Sequence, residues 1–146
     1  MWAVRARVAA LVLALGLGGA VAVVAAAQTS NGLPAYTKGY TTWPKLNRKP
    51  VTGGSPAHSG VKNTYASRPR SGRAFPNGTV IVKTIARPGA AGRPFQVAVM
   101  RKVKGTWRWA EYQLSGARYE RLGVPTSVCT SCHVGAKARD WVFTGR

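Results

Sequence analysis

The stretch Thr79-Val80-Ile81-Val82-Lys83-Thr84-Ile85 decides the fold. It is β-branched almost throughout, and two heavy atoms on Cβ suit a pleated strand better than a helix. Pro76-Asn77-Gly78 makes a turn before it, and the Gly-rich run from Pro88 to Pro94 makes one after it, so the segment is bounded as a strand is. In an extended chain Ile81, Lys83 and Ile85 share one face while Val80 and Val82 share the other. If the Ile81 face is buried, Lys83 is desolvated, its pKa falls and a neutral amine becomes available as a nucleophile. If Val80 and Val82 face inward, Lys83 is an ordinary solvated lysine.

Further strands lie on either side. Phe95 to Lys102 alternates between apolar and polar residues. Lys104-Gly105 is a hairpin turn, and Thr106 to Leu114 is an aromatic strand with Trp107, Trp109 and Tyr112. Val61 to Ala66 is a weaker strand signal, and Arg68 to Pro76 reads as a basic loop. Residues 28–60 are rich in Gly, Pro, Ser, Thr and Asn, with a short helix expected around Lys38–Trp43 and a loop from Lys49 to Gly60. Pro125-Thr126-Ser127 is a helix start, and the helix is expected to end near Ala138. Trp141, Val142 and Phe143 form an apolar tail that could pack as a last strand. The fold class is therefore mainly β (α+β): an antiparallel sheet of about four strands with short helices, the last of them C-terminal.

That C-terminal helix carries Cys129-Thr130-Ser131-Cys132-His133, a C-x-x-C-H motif that attaches a c-type haem. Two thiols three residues apart lie on one side of a helical turn and can both add to one porphyrin, and the adjacent histidine supplies an axial ligand to the iron. Competing readings are weaker. A zinc site lacks ligands, because His58 and His133 are the only histidines and lack paired spacing. A thioredoxin-like pair lacks its βαβ unit, while a simple disulfide remains an alternative. The chain ends 13 residues after His133 and none of these is Met, so no downstream methionine completes a six-coordinate iron. Met100 lies upstream in a strand and reads as core or surface filler. One covalent haem c is the expected cofactor.

Residues 1–27 read as a leader: Arg5 and Arg7, an uncharged Ala/Val/Leu/Gly run from Val8 to Val24, then Ala25-Ala26-Ala27 before Gln28. An uncleaved membrane anchor is the alternative. Either way the body of the protein is expected to be periplasmic or secreted. Cleavage leaves residues 28–146 as one domain, a loop-rich segment 28–60 leading into a haem domain 61–146. Lys and Arg number 22 against three acids, and losing Arg5 and Arg7 takes the net charge from +19 to +17. Such a surface attracts polyanions, an acidic redox partner or anionic lipid headgroups, or is a solvated basic surface with no specific partner. The expected export and the scattered basic residues argue against nucleic acid.

Several stretches together resemble the cytochrome P-460 family: Phe75-Pro-Asn-Gly-Thr-Val-Ile-Val-Lys83, Trp107-Arg-Trp-Ala-Glu-Tyr112, Cys129-Thr-Ser-Cys-His133 and Asp140-Trp-Val-Phe-Thr144. Gly39-Tyr40, Trp43 and Val61 to Tyr65 are also similar. The resemblance implies an antiparallel β fold, often dimeric, with one five-coordinate c-type haem. It implies one of two activities: hydroxylamine oxidation with a lysine cross-linked to the porphyrin, or nitric oxide binding in a distal pocket walled by phenylalanine. Lys83 matches the cross-linked lysine, although Thr84 follows it where the enzymes usually carry an acid. Phe75 matches a distal-side position, or is a core aromatic. His58 falls near the distal wall, as a hydrogen-bond donor, a sixth ligand or a solvated loop residue. Glu111 is a candidate proton acceptor, or an ion-pair partner for Arg101 or Lys102. Glu120 and Asp140 read as surface or helix-end charges. The alternative function is a basic electron-transfer cytochrome with six-coordinate iron.

Overall fold

The computed structural model of the chain describes residues 27–53 and 56–143. Apart from Ala27, the expected leader lies outside the described residues. Five strands form one antiparallel meander in the order β1 (Val61–Ala66), β2 (Val80–Ala86), β3 (Gln96–Val103), β4 (Thr106–Ser115) and β5 (Arg118–Leu122). The helix α1 (Thr126–His133) follows, continued by a 3-10 segment, Val134–Arg139.

Four of the strands lie where the residue pattern puts them. The fifth was not expected. In Arg118-Tyr119-Glu120-Arg121-Leu122 only Tyr119 is buried, so the strand carries almost no apolar signal. The helix expected around Lys38–Trp43 is instead two short 3-10 turns, Ala35–Thr37 and Tyr40–Thr42. Gly39 separates them at φ 76°, a left-handed conformation that ends one turn before the next begins. The helix expected to reach Ala138 tightens to 3-10 after His133. Trp141-Val142-Phe143 is no strand. Asp140 and Trp141 have φ of 55° and 65°, which turns the chain back under the sheet and buries Val142.

Register fixes which side chains share a face. Across one row, Thr64 pairs Lys83, Lys83 pairs Ala98, and Ala98 pairs Glu111. The next row runs Ala66, Ile81, Met100, Trp109. The opposite face carries Val80, Val82, Val97, Val99, Tyr112 and Tyr119. Both faces are covered, so the condition posed for a desolvated Lys83, a buried Ile81 face, is met, although the Val82 face is buried too. The N-terminal segment lays Leu33, Tyr36, Tyr40 and Trp43 over the Val82 face. Gly32 permits that approach, since a Cβ there would overlap the Tyr119 carbonyl oxygen. The Ile81 face is covered by the C-terminal segment, with Phe75, Met100, Trp107 and Val142 in a second apolar cluster.

Candidate functional site

The helix α1 begins after Pro125, whose extended backbone sets its first turn. Its hydroxyls bond locally: Thr130 Oγ1 donates to the Thr126 carbonyl (3.2 Å) and Ser131 Oγ to that of Val128 (2.9 Å). Cys129, Cys132 and His133 point the other way and line a cavity of about 380 Å³ between the helix and the Ile81 face of the sheet. Both thiols are free, Cys129 buried and Cys132 exposed. Burial, and then the Glu111 carboxylate, push the Cys129 thiol above its ordinary pKa.

His133 is held on three sides. Its ring meets Trp109 edge-on at 4.6 Å and Phe143 at 5.0 Å between centroids. Its Nδ1 lies 2.7 Å from the Trp141 carbonyl oxygen. A carbonyl only accepts, so Nδ1 carries the proton and donates, and the lone pair is left on Nε2. That is the tautomer a metal-binding imidazole needs, oriented as second-shell hydrogen bonds orient such ligands. Burial, opposed by this hydrogen bond, holds the imidazole pKa below its usual value.

Lys83 lines the same cavity. Burial lowers its pKa to about 8, helped by the like charge of Lys62 and opposed by Glu111. Among the described residues its amine has no hydrogen-bond or ion-pair partner, and it faces only the Phe143 ring at 5.9 Å. Lys62, which is buried, differs. Its amine donates to the carbonyls of Gly53, His58 (2.9 Å) and Gly60 (3.0 Å), which ties the cavity rim to β1.

His58 and Glu111 meet inside the cavity, His58 Nε2 lying 3.0 Å from Glu111 Oε1. Gln96 donates to the other carboxylate oxygen at 3.0 Å. Glu111 thus pairs with neither Arg101 nor Lys102. Arg101 stacks over Tyr36 on the far face, while Lys102 pairs with Asp140 at 2.6 Å. His58 is likewise no solvated loop residue. Phe75 does not line the cavity. It is 2% exposed and packs edge-on against Trp107, so of its two readings the core aromatic is the one observed. The phenylalanine on the cavity wall is Phe143, which the strand pattern did not single out. Asp140, read as a surface or helix-end charge, is an anchor: it accepts from Lys102 (2.6 Å), the Phe75 N–H (2.8 Å) and Trp107 Nε1 (3.1 Å). One signal for Glu111 and Asp140 was scarcity, since they are two of only three acids in the chain.

The donor set fits a haem. A histidine with a free Nε2 and two unpaired thiols line one cavity, whose remaining wall is largely apolar through Ile81, Ala98, Met100, Val128 and Phe143. Val128 and Phe143 stay 49% and 39% exposed on that wall, surface that an apolar macrocycle would cover. The family model for cytochrome P460 matches residues 37–144. The chain belongs to the cytochrome P460 family. As a member it is a haem-binding cytochrome, and the match spans every element described above except Ala35 and Tyr36 in the first 3-10 turn. Among curated proteins, none matches the chain significantly.

Proposed function

We propose that this chain is an exported mono-haem cytochrome of the P460 kind that binds or transforms small nitrogen compounds such as hydroxylamine or nitric oxide. Cys129 and Cys132 would hold one haem covalently, and His133 Nε2 would bind its iron. Bound there, the haem would supply redox chemistry toward a small nitrogen compound. The observation that carries the reading is the shared cavity, which gathers the C-x-x-C-H side chains with Lys83, His58 and Glu111 and leaves their polar ends in an otherwise apolar enclosure.

The chain's own residues have distinct roles in this reading. Trp141, Trp109 and Phe143 fix the His133 ring. Phe143, Ile81 and Ala98 exclude water. Glu111 is the proton acceptor for a substrate N–H or O–H, and its bond to His58, near the rim, gives the proton a way out. Lys83 is the candidate for the porphyrin cross-link. Two features support it: among the described residues its amine has no polar partner, and burial lowers its pKa to about 8, which favours a neutral fraction near physiological pH. The basic surface suits an acidic redox partner that removes electrons.

Expression with a haem-attachment system, a haem-stained denaturing gel and oxidised and reduced spectra test the proposal. Covalent haem with a high-spin, five-coordinate spectrum is expected. A strongly red-shifted reduced Soret band, lost in Lys83→Ala, reports the cross-link. Glu111→Gln should keep the haem and slow hydroxylamine turnover about 10²-fold. A low-spin six-coordinate spectrum would overturn the reading in favour of an electron carrier.

A further inference from the structure

We propose that Asp140 is a positioning residue for the axial histidine: its carboxylate clamps the C-terminal turn to the sheet so that the Trp141 carbonyl meets His133 Nδ1. The inference rests on the haem reading above for its spectroscopic consequence, but the hydrogen bond itself belongs to the chain alone.

The turn is one that needs holding. Asp140 and Trp141 both adopt left-handed backbone, at φ 55° and 65°. Aspartate tolerates that region, whereas a bulky residue such as tryptophan is strained there. Such a conformation persists only where its surroundings over-determine it. Three donors from three parts of the fold converge on Asp140. The Phe75 N–H comes from the loop before β2, Lys102 from β3 and the Trp107 indole from β4, at 2.8, 2.6 and 3.1 Å. Both carboxylate oxygens are used. On the other side of Trp141, Val142 is 1% exposed and packs with Ile81, Met100 and Trp107. The Trp141 carbonyl therefore sits between a polar anchor and an apolar one, and the 2.7 Å bond to His133 follows from their placement.

A carbonyl so fixed sets both the ring orientation and the electron density on Nε2, because a stronger Nδ1–H bond makes the imidazole a better donor to iron. Asp140→Asn isolates the effect. Asparagine is comfortable in left-handed backbone but loses the charge and cannot accept all three donors. The haem-loaded variant should show a lower and broader iron–histidine stretching band in its ferrous resonance Raman spectrum and a higher reduction potential, with haem content unchanged. In the haem-free chain, exchange of the His133 Nδ1 proton with water, followed by NMR, should be about tenfold faster than in the wild type. Trp107→Phe, which keeps an aromatic ring and removes one donor, should shift both readouts in the same direction by a smaller amount, and it decides the matter if Asp140→Asn does not accumulate. An unchanged iron–histidine band together with an unchanged proton exchange rate would overturn the inference. A wild type that takes up no haem would sink the proposed function instead, and the proton exchange comparison would still decide the role of Asp140.

Discussion

The two faces of the sheet are built from the same strands and finish differently. On the Val82 face, Val80, Val82, Val97, Val99, Tyr112 and Tyr119 meet Leu33, and Tyr40 and Trp43 close the edge. Apolar side chains fill that layer. On the Ile81 face, half the layer is filled in the same way, by Met100, Trp107, Phe75 and Val142. The other half holds Lys83, Ala98 and Glu111 in one register row, and above it lies a cavity of about 380 Å³. The difference comes from the covering segments. The N-terminal segment contributes aromatic and aliphatic side chains, whereas the C-terminal helix contributes two cysteines and a histidine. Ala98, the smallest residue of that row, leaves room between Lys83 and Glu111. The cavity is therefore a built feature, with its donors aimed inward, rather than a gap in packing.

The sharpest way to break the comparison acts on the cavity side. Replacing Cys129 and Cys132 together by alanine should abolish covalent haem on a denaturing gel while far-ultraviolet circular dichroism retains the sheet. Retention of stained haem would remove the reason for assigning the cavity to a porphyrin. The Val82 face should respond in the opposite sense. Leu33 is 1% exposed, and Leu33→Ala should cost about 2–5 kcal/mol in chemical denaturation without changing the haem carried per folded molecule. A Leu33→Ala protein of unchanged stability would show that the N-terminal cover is not part of the core.

These contrasts also mark what the residue order disclosed. The strand β2 was legible because β-branching and flanking turns are local signals. The C-x-x-C-H motif was legible because its spacing is a local signal. Coverage of both faces was not, since the covering residues, Leu33 and Val142, lie far along the chain and carry no periodic pattern. The strand β5 was hidden by its own charges, with Tyr119 its only buried side chain. The His58–Glu111 pair joins residues 53 positions apart, and the Trp141 carbonyl that orients His133 is a backbone atom, which no side-chain pattern reports. Strand alternation did put Glu111 on the face of Trp109, and register then carried it to Lys83.

The smallest expected effect sharpens the comparison most finely, because it asks what one lysine costs on the unfilled side. Lys83→Met in the haem-free chain should stabilise the fold at pH 7 by on the order of 1 kcal/mol, since it removes a desolvated cation that has no polar partner among the described residues. The sign of its pH dependence follows from the ordinary pKa of 10.5 and the folded value of about 8. Below pH 8 the amine is protonated in the folded and unfolded chains alike, and the penalty is present in full. Between about 8 and 10.5 the folded chain has released a proton that the unfolded chain keeps, so wild-type stability rises with pH and the advantage of Lys83→Met shrinks. Buried tyrosines act in the opposite direction over an overlapping range. Burial, more than neighbouring charge, raises Tyr40 to about 12, and stability from it is lost as pH climbs from 10 upward. They are common to both chains and cancel in the difference. Denaturation midpoints for the pair at pH 7, 8.5 and 10 measure that difference directly. Profiles that stay parallel across this range would mean that Lys83 is solvated, and that the row from Thr64 to Glu111 does not enclose it.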